Sequence, residues 1–287
     1  MTIYKKTLKN LIVVCCAVLP LPTLAAQNSP ILVEMFSSIT CTSDPITQKE
    51  MQKIINDFPS VKFVNCRTGA TVETLSESDQ KDPFQIVFCD YKAASYFEKL
   101  HMFTMKSPLI IINGKYEAVT KDVATALKMA QSVDNIKNIS ISLKEKTLRI
   151  EIPDFESETG KGEIYIYTYA PTHEITINPE MPIPTDSAQD TLPKSEPFEG
   201  PAQPYTEFYL RPVVAVQKLA AWNGKEKNFS YPLPVSTTFK FEPKDLSYVI
   251  VLTSGEESSG DVLAVGELKS EAEMKADAGL SNSETKN

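Results

Sequence analysis

Histidine is almost missing from this chain of 287 residues, which has two, and tryptophan occurs once. His101 and His173 have no cysteine or histidine neighbours at zinc-like spacing, so the sequence offers no metal site, and it carries no cofactor motif. No Gly-x-Ser-x-Gly turn is present to raise a nucleophilic serine, which removes that hydrolase layout. Base is scarce as well: 29 Lys and Arg stand against 37 Asp and Glu, a formal charge of −8. Without the first 26 residues, which hold three lysines and no acid, the balance is 26 against 37, or −11. So acidic a chain is a poor phosphate binder, which argues against nucleic acid as a partner. Hydrophobic residues at 42% and charged residues at 23% are ordinary for a folding chain and exclude a collagen, a coiled coil or a wholly disordered protein.

Long apolar runs are also lacking. Leu11 to Leu21 is well short of the roughly 20 residues that a membrane span needs, and nothing later reaches that length. With Lys5, Lys6 and Lys9 ahead of it and Ala25 and Ala26 behind, residues 1–26 read as a cleaved export signal. A periplasmic or secreted protein with no integral span is expected. Beyond Cys15 and Cys16, three cysteines remain, Cys41, Cys66 and Cys89, so at most one internal disulfide can form.

Hydrophobic periodicity divides the rest into an α/β part and an all-β part. Ile31 to Phe36 predicts a strand, Ser37 to Thr42 a turn, and Pro45, Ile46, Met51, Ile54 and Ile55 fall at helical spacing. Val61 to Val64 reads as a parallel neighbour reached by a right-handed crossover. A helix follows Pro83, then a hairpin around Asn113-Gly114, and a last helix runs from Lys121 to Ser132. After Asn138 the pattern alternates, with strands predicted at 139–143, 148–152, Glu163 to Ala170, Tyr205 to Ala220, Phe229 to Leu233, Thr238 to Phe241, Tyr248 to Thr253 and Asp261 to Leu268. Tyr165, Tyr167 and Tyr169 read as one face of a half-buried strand. The seven prolines of 178–204 mark a solvated insertion, and 270–287 reads as a disordered tail.

Cys41 at a helix start, with Ser107-Pro108 immediately before a hairpin, is the layout of a thioredoxin-like fold. Ile31 to Pro45, Lys106-Ser107-Pro108-Leu109 through Asn113-Gly114, Arg211 to Val214, Trp222 to Lys225 and Val249 to Leu252 resemble the bacterial secreted family called domain of unknown function 1223, over residues 30–268. The resemblance implies a thioredoxin-like domain over 30–137 followed by a β-rich, sandwich-like domain over 138–269. It also implies a cis peptide at Pro108, facing Cys41. The family's Cys-x-x-Cys-Pro is replaced by Cys41-Thr42-Ser43-Asp44-Pro45, so a carboxylate stands where the resolving thiol belongs.

In a dithiol enzyme the second thiol, one helical turn on, resolves the mixed disulfide, while the helix N-terminus steadies the first thiolate. Asp44 removes the resolver and adds a charge unfavourable to a neighbouring thiolate. Cys66 falls at the carboxyl end of the strand beside the one leading to Cys41, so both sulfurs reach one sheet edge. A Cys41–Cys66 pair, fixed or redox-active, stands against an unpaired Cys41, while Cys89 reads as a small buried hydrophobe. The function expected is a protein- or peptide-binding module built on Cys41, Thr42, Ser43, Asp44, Ser107 and Pro108. The alternative is a thiol-disulfide oxidoreductase in which Cys66 or an external thiol resolves.

Overall fold

The computed structural model describes residues 29–39, 41, 43–69, 82–157, 160–177, 205–233 and 241–275. The expected signal 1–26, the insertion 178–204 and candidate Thr42 lie outside them. The first sheet is built from β1 (Ile31–Ser37), β2 (Val61–Arg67), β3 (Leu109–Ile112) and β4 (Tyr116–Ala118), in the order β2-β1-β3-β4. β1 and β2 run parallel, as the intervening α1 (Asp44–Asp57) requires, and β3 lies antiparallel to β1. All seven residues of β1 are buried, because a central strand covered on both faces keeps no solvent side.

Alternate residues of that sheet feed two cores. Ile31, Val33, Met35, Val61, Phe63, Ile110 and Ile112 face α1 and α3 (Val123–Val133). Leu32, Phe36, Val64, Leu109 and Ile111 face α2 (Val87–Lys99), which contributes Cys89, Ala93 and Tyr96. The hairpin between β3 and β4 turns at Asn113 and Gly114, both at positive φ. A Cβ on Gly114 would stand 2.4 Å from the Gly260 carbonyl oxygen, so only glycine fits there.

The remaining strands are β5 (Lys137–Asn138), β6 (Ser140–Lys144), β7 (Thr147–Ile152), β8 (Gly162–Tyr169), β9 (His173–Ile177), β10 (Tyr205–Tyr209), β11 (Val213–Trp222), β12 (Lys227–Pro232), β13 (Ser247–Ser254) and β14 (Val262–Leu268). They make a five-stranded sheet β11-β8-β13-β14-β5, a three-stranded sheet β12-β7-β6 and a ribbon β10-β9. A third core, including Ile164, Ile166, Ile250 and Leu252 against Leu148, Ile150 and Ile152, fills the space between the larger two. Trp222 belongs to it, stacked on Phe155.

Several expectations are corrected. β8 is buried along its whole length rather than half-buried, since Tyr165, Tyr167 and Tyr169 pack into the core under α2. The strand expected over Tyr205 to Ala220 is two strands, broken where Arg211 adopts positive φ ahead of Pro212. Of the strand expected over Thr238 to Phe241, residues 238–240 lie outside the described residues, and Phe241 itself is in no strand. The tail is ordered through Lys275: Glu273 is buried and takes a hydrogen bond from Arg211 Nε. An ionic anchor of this kind leaves no apolar stripe to read.

Candidate functional site

The antiparallel register places Leu109 opposite Phe36, so Ser107 and Pro108 arrive at the edge where β1 ends and the turn to α1 begins. The Ser107–Pro108 bond is cis. Cys41 occupies that turn, its N–H donating to the Ser38 carbonyl at 3.0 Å and its own carbonyl accepting from the Asp44 N–H at 3.0 Å. Its thiol is half-buried and lies 2.9 Å from the Ser107 carbonyl oxygen, to which it donates, and 3.2 Å from Ser43 Oγ. Cys41, Ser43, Ser107 and Pro108 therefore come together.

Cys66 does not join them, which decides the open alternative against a Cys41–Cys66 pair and removes Cys66 as the candidate resolving thiol. It pairs in register with Phe36, close to the sheet edge, but its side chain shares the α2 face and is bonded to Cys89, their Cα atoms 5.4 Å apart. Cys89 is buried as expected, yet as half of a disulfide rather than as a free thiol. Cys41 is free. The face on which Cys66 lands follows from strand alternation; that α2 would set Cys89 beneath it had no local signal.

Asp44 is also displaced from its expected role. As the first residue of α1 it turns inward, fully buried, and accepts from Arg67 Nη1 and, at 3.1 Å, from Gln48 Nε2. Arg67, at the end of β2, also donates through Nη1 to Ser37 Oγ and through Nε to Asp82 at 2.7 Å, and its guanidinium lies 5.0 Å from the Tyr209 ring centre. Burial pushes the Asp44 carboxyl above its ordinary value although Arg67 pulls the other way. Burial would lower Arg67, but the charges of Asp44 and Asp82 outweigh it and hold the guanidinium higher still. Glu207 on β10 faces the same cluster and is raised by burial, with Asp44 and Asp82 adding to the rise against Arg67. Sequence reasoning missed Arg67, Asp82 and Glu207; a lone arginine at the end of an apolar strand was the one available signal.

A second buried polar group joins the two halves. Lys92 of α2 donates to Glu34 Oε1 of β1 at 2.6 Å and to the Tyr167 hydroxyl of β8, while the Tyr96 hydroxyl donates to Glu34 Oε2 at 2.6 Å. Burial lowers Lys92 despite Glu34, and raises Tyr96 and Tyr167 far above the ordinary tyrosine value. Among the described residues no group of three or more His, Cys, Asp or Glu is placed to hold a metal ion, and no helix is long and apolar enough to cross a membrane.

No family model and no curated protein matches the chain. Among solved structures it is similar in fold, with a TM-score of 0.61 at 14% identity, to a crystal structure of an Agrobacterium tumefaciens protein from a structural-genomics consortium. The likeness covers 85% of this chain and 96% of the other. What the two share is a mixed α/β architecture with several sheets.

Proposed function

We propose that the chain is an exported protein whose α/β half is thioredoxin-like and binds extended polypeptide beside a lone thiol. The observation carrying this is the Cys41 thiol held 2.9 Å from the carbonyl oxygen that precedes cis Pro108, with the other two described cysteines bonded to each other. The order β2-β1-β3-β4 agrees with the thioredoxin-like layout. Ile46 near the start of α1 and Phe103 and Met105 ahead of Ser107 are exposed, an unusual place for large apolar side chains unless something covers them. The segment leading into β3 offers backbone to an added strand. The disulfide suits an oxidising compartment, which favours the periplasm or the exterior.

The test is fluorescence anisotropy with a labelled, S-carboxymethylated insulin B chain. Binding is expected, and the Phe103→Ser/Met105→Ser variant should weaken it roughly tenfold. Equal affinity in that variant, or no binding by the wild type up to about 1 mM, would end the proposal.

The free, half-buried Cys41 favours one second reading, a monothiol oxidoreductase. The Cys41 thiolate attacks one sulfur of a substrate disulfide and releases the other half as a thiolate. A low-molecular-weight thiol then attacks the mixed disulfide, leaves with the bound half as a new disulfide and returns the Cys41 thiol. Insulin reduction with glutathione separates the readings: a rate abolished in Cys41→Ser supports the enzyme, and equal negligible rates dismiss it.

A further inference from the structure

We propose that Arg67 is a positioning residue for Cys41, acting as a clamp on both ends of the turn that carries the thiol. The inference rests on the reading of Cys41 as the functional centre. Arg67 Nη1 donates at once to Ser37 Oγ, on the last residue of β1, and to Asp44 Oδ2, on the first residue of α1. Residues 38–43 span the gap between those two anchors. The clamp closes into a ring: Ser37 Oγ donates to Asn65 Oδ1 at 2.9 Å, Asn65 Nδ2 to Gln48 Oε1 at 3.1 Å, and Gln48 Nε2 to Asp44 Oδ2 at 3.1 Å. Arg67 joins Asp44 back to Ser37.

The ring is itself held from behind. Asp82 fixes Arg67 Nε, the Phe84 N–H fixes Asp82 Oδ1 at 2.8 Å, and the Leu210 N–H donates to Gln48 Oε1 at 2.7 Å. A planar guanidinium with directed donors can serve a hydroxyl, two carboxylates and a ring face together, which a lysine ammonium on a flexible stem cannot. All five ring members are fully buried, so each of these bonds is shielded from competing water. Because both flanks of the turn are tied to one nitrogen, the distance between them is set, and with it the seating of the thiol on the Ser107 carbonyl. Asp44 thereby takes a new use at the position where a resolving thiol would stand: it anchors the turn instead of entering the chemistry.

The test uses the full chain and follows alkylation of Cys41 by iodoacetamide, read at the Cys41 peptide by mass spectrometry across pH, beside binding of the carboxymethylated insulin B chain. Ser37→Ala and Asp44→Ala each remove one arm of the clamp and leave Arg67 paired with Asp82. Each also opens a second link of the ring, to Asn65 or from Gln48, and is expected to speed alkylation at least about fivefold, the worth of the one Arg67 hydrogen bond that holds that end of the turn. Ser37→Thr, which keeps the hydroxyl, should return the wild-type rate. Ile55→Val, which trims the core face of the same helix without touching Arg67, should leave it unchanged. The proposal falls if Ser37→Ala alkylates at the wild-type rate, or if Ile55→Val speeds the reaction equally. Faster alkylation in a protein that binds no peptide would keep the clamp and discard the binding reading.

Discussion

Charge one helical turn after a cysteine is expected to work against its thiolate, but at Asp44 the fold turns that charge into a buried pair with Arg67. Neutralising a buried charge in this way is costly to assemble and costly to break, because removing one partner strands the other away from water. The cysteines show the same dependence of a residue's meaning on its surroundings. Cys66 and Cys89 lie 23 residues apart in sequence and tie the end of β2 to the first turn of α2. Closing a loop of that length restricts the unfolded chain by about 3 kcal/mol. The double variant Cys66→Ser/Cys89→Ser should therefore unfold in urea with a stability about 3 kcal/mol below wild type. Cys41→Ser should stay within about 0.5 kcal/mol of it, as for other partly exposed positions outside a packed core.

At the scale of elements, β8 has the most demanding environment. Its odd residues Tyr165, Tyr167 and Tyr169 lie under α2, and Ile164 and Ile166 fill the core beneath the three-stranded sheet. Burial holds Tyr96, Tyr167 and Tyr169 well above the ordinary value of 10.0, and Tyr248 on β13 at about 12. An unfolded chain releases those protons near pH 10, so between there and pH 12 the native state binds more protons and its stability falls as pH rises. In an alkaline titration, tyrosinate absorbance from these residues should appear together with loss of circular dichroism rather than ahead of it. A smooth, early ionisation of all eleven tyrosines would contradict this environment.

The elements that sequence made legible are those with a local cause. β1 was visible as a branched apolar run, α1 from Pro45 and its spacing, and the hairpin from Asn113-Gly114, which must adopt positive φ. The juxtaposition of Cys41 with Ser107-Pro108 came from the resemblance rather than from periodicity. What stayed hidden is non-local. β9 holds its place by pairing with β10 across the long insertion, residues 270–275 by a buried ion pair and the Ser270 N–H on Ser247 Oγ, and Cys89 by the packing of α2 against a sheet whose partner strands come later in the chain. None of these leaves a pattern within a window of a dozen residues.

The whole molecule is a stack whose two halves share a core. α1 and α3, the first sheet, α2, the five-stranded sheet and the three-stranded sheet succeed one another, with the core under α2 drawn from both halves. Lys92, Glu34 and Tyr167 bridge that seam, and Lys99 fastens it at the rim by donating to the carbonyls of Gly114 and Ser259 and to Asp261. Residues 30–137 produced alone would expose Tyr96, Leu109 and Ile111 and strand Lys92 and Glu34 without Tyr167. Such a fragment should keep helical far-ultraviolet dichroism but lose near-ultraviolet signal and bind a hydrophobic dye. A sharp two-state melt of the fragment would show that the halves fold independently.

The hydrogen bond from the Val262 N–H to the Asn113 carbonyl, at 2.9 Å, gives this stack a history as well as a shape. A chain made from its N-terminus supplies β1 to β4 early, yet the wall that seals α2 begins with β8 and is completed only by β13 and β14, well over a hundred residues later. During synthesis the nascent first sheet must therefore wait, half-dressed, for the rest of its cover. Any factor that escorts such chains would meet this one in that interval, with α2 as the surface on offer.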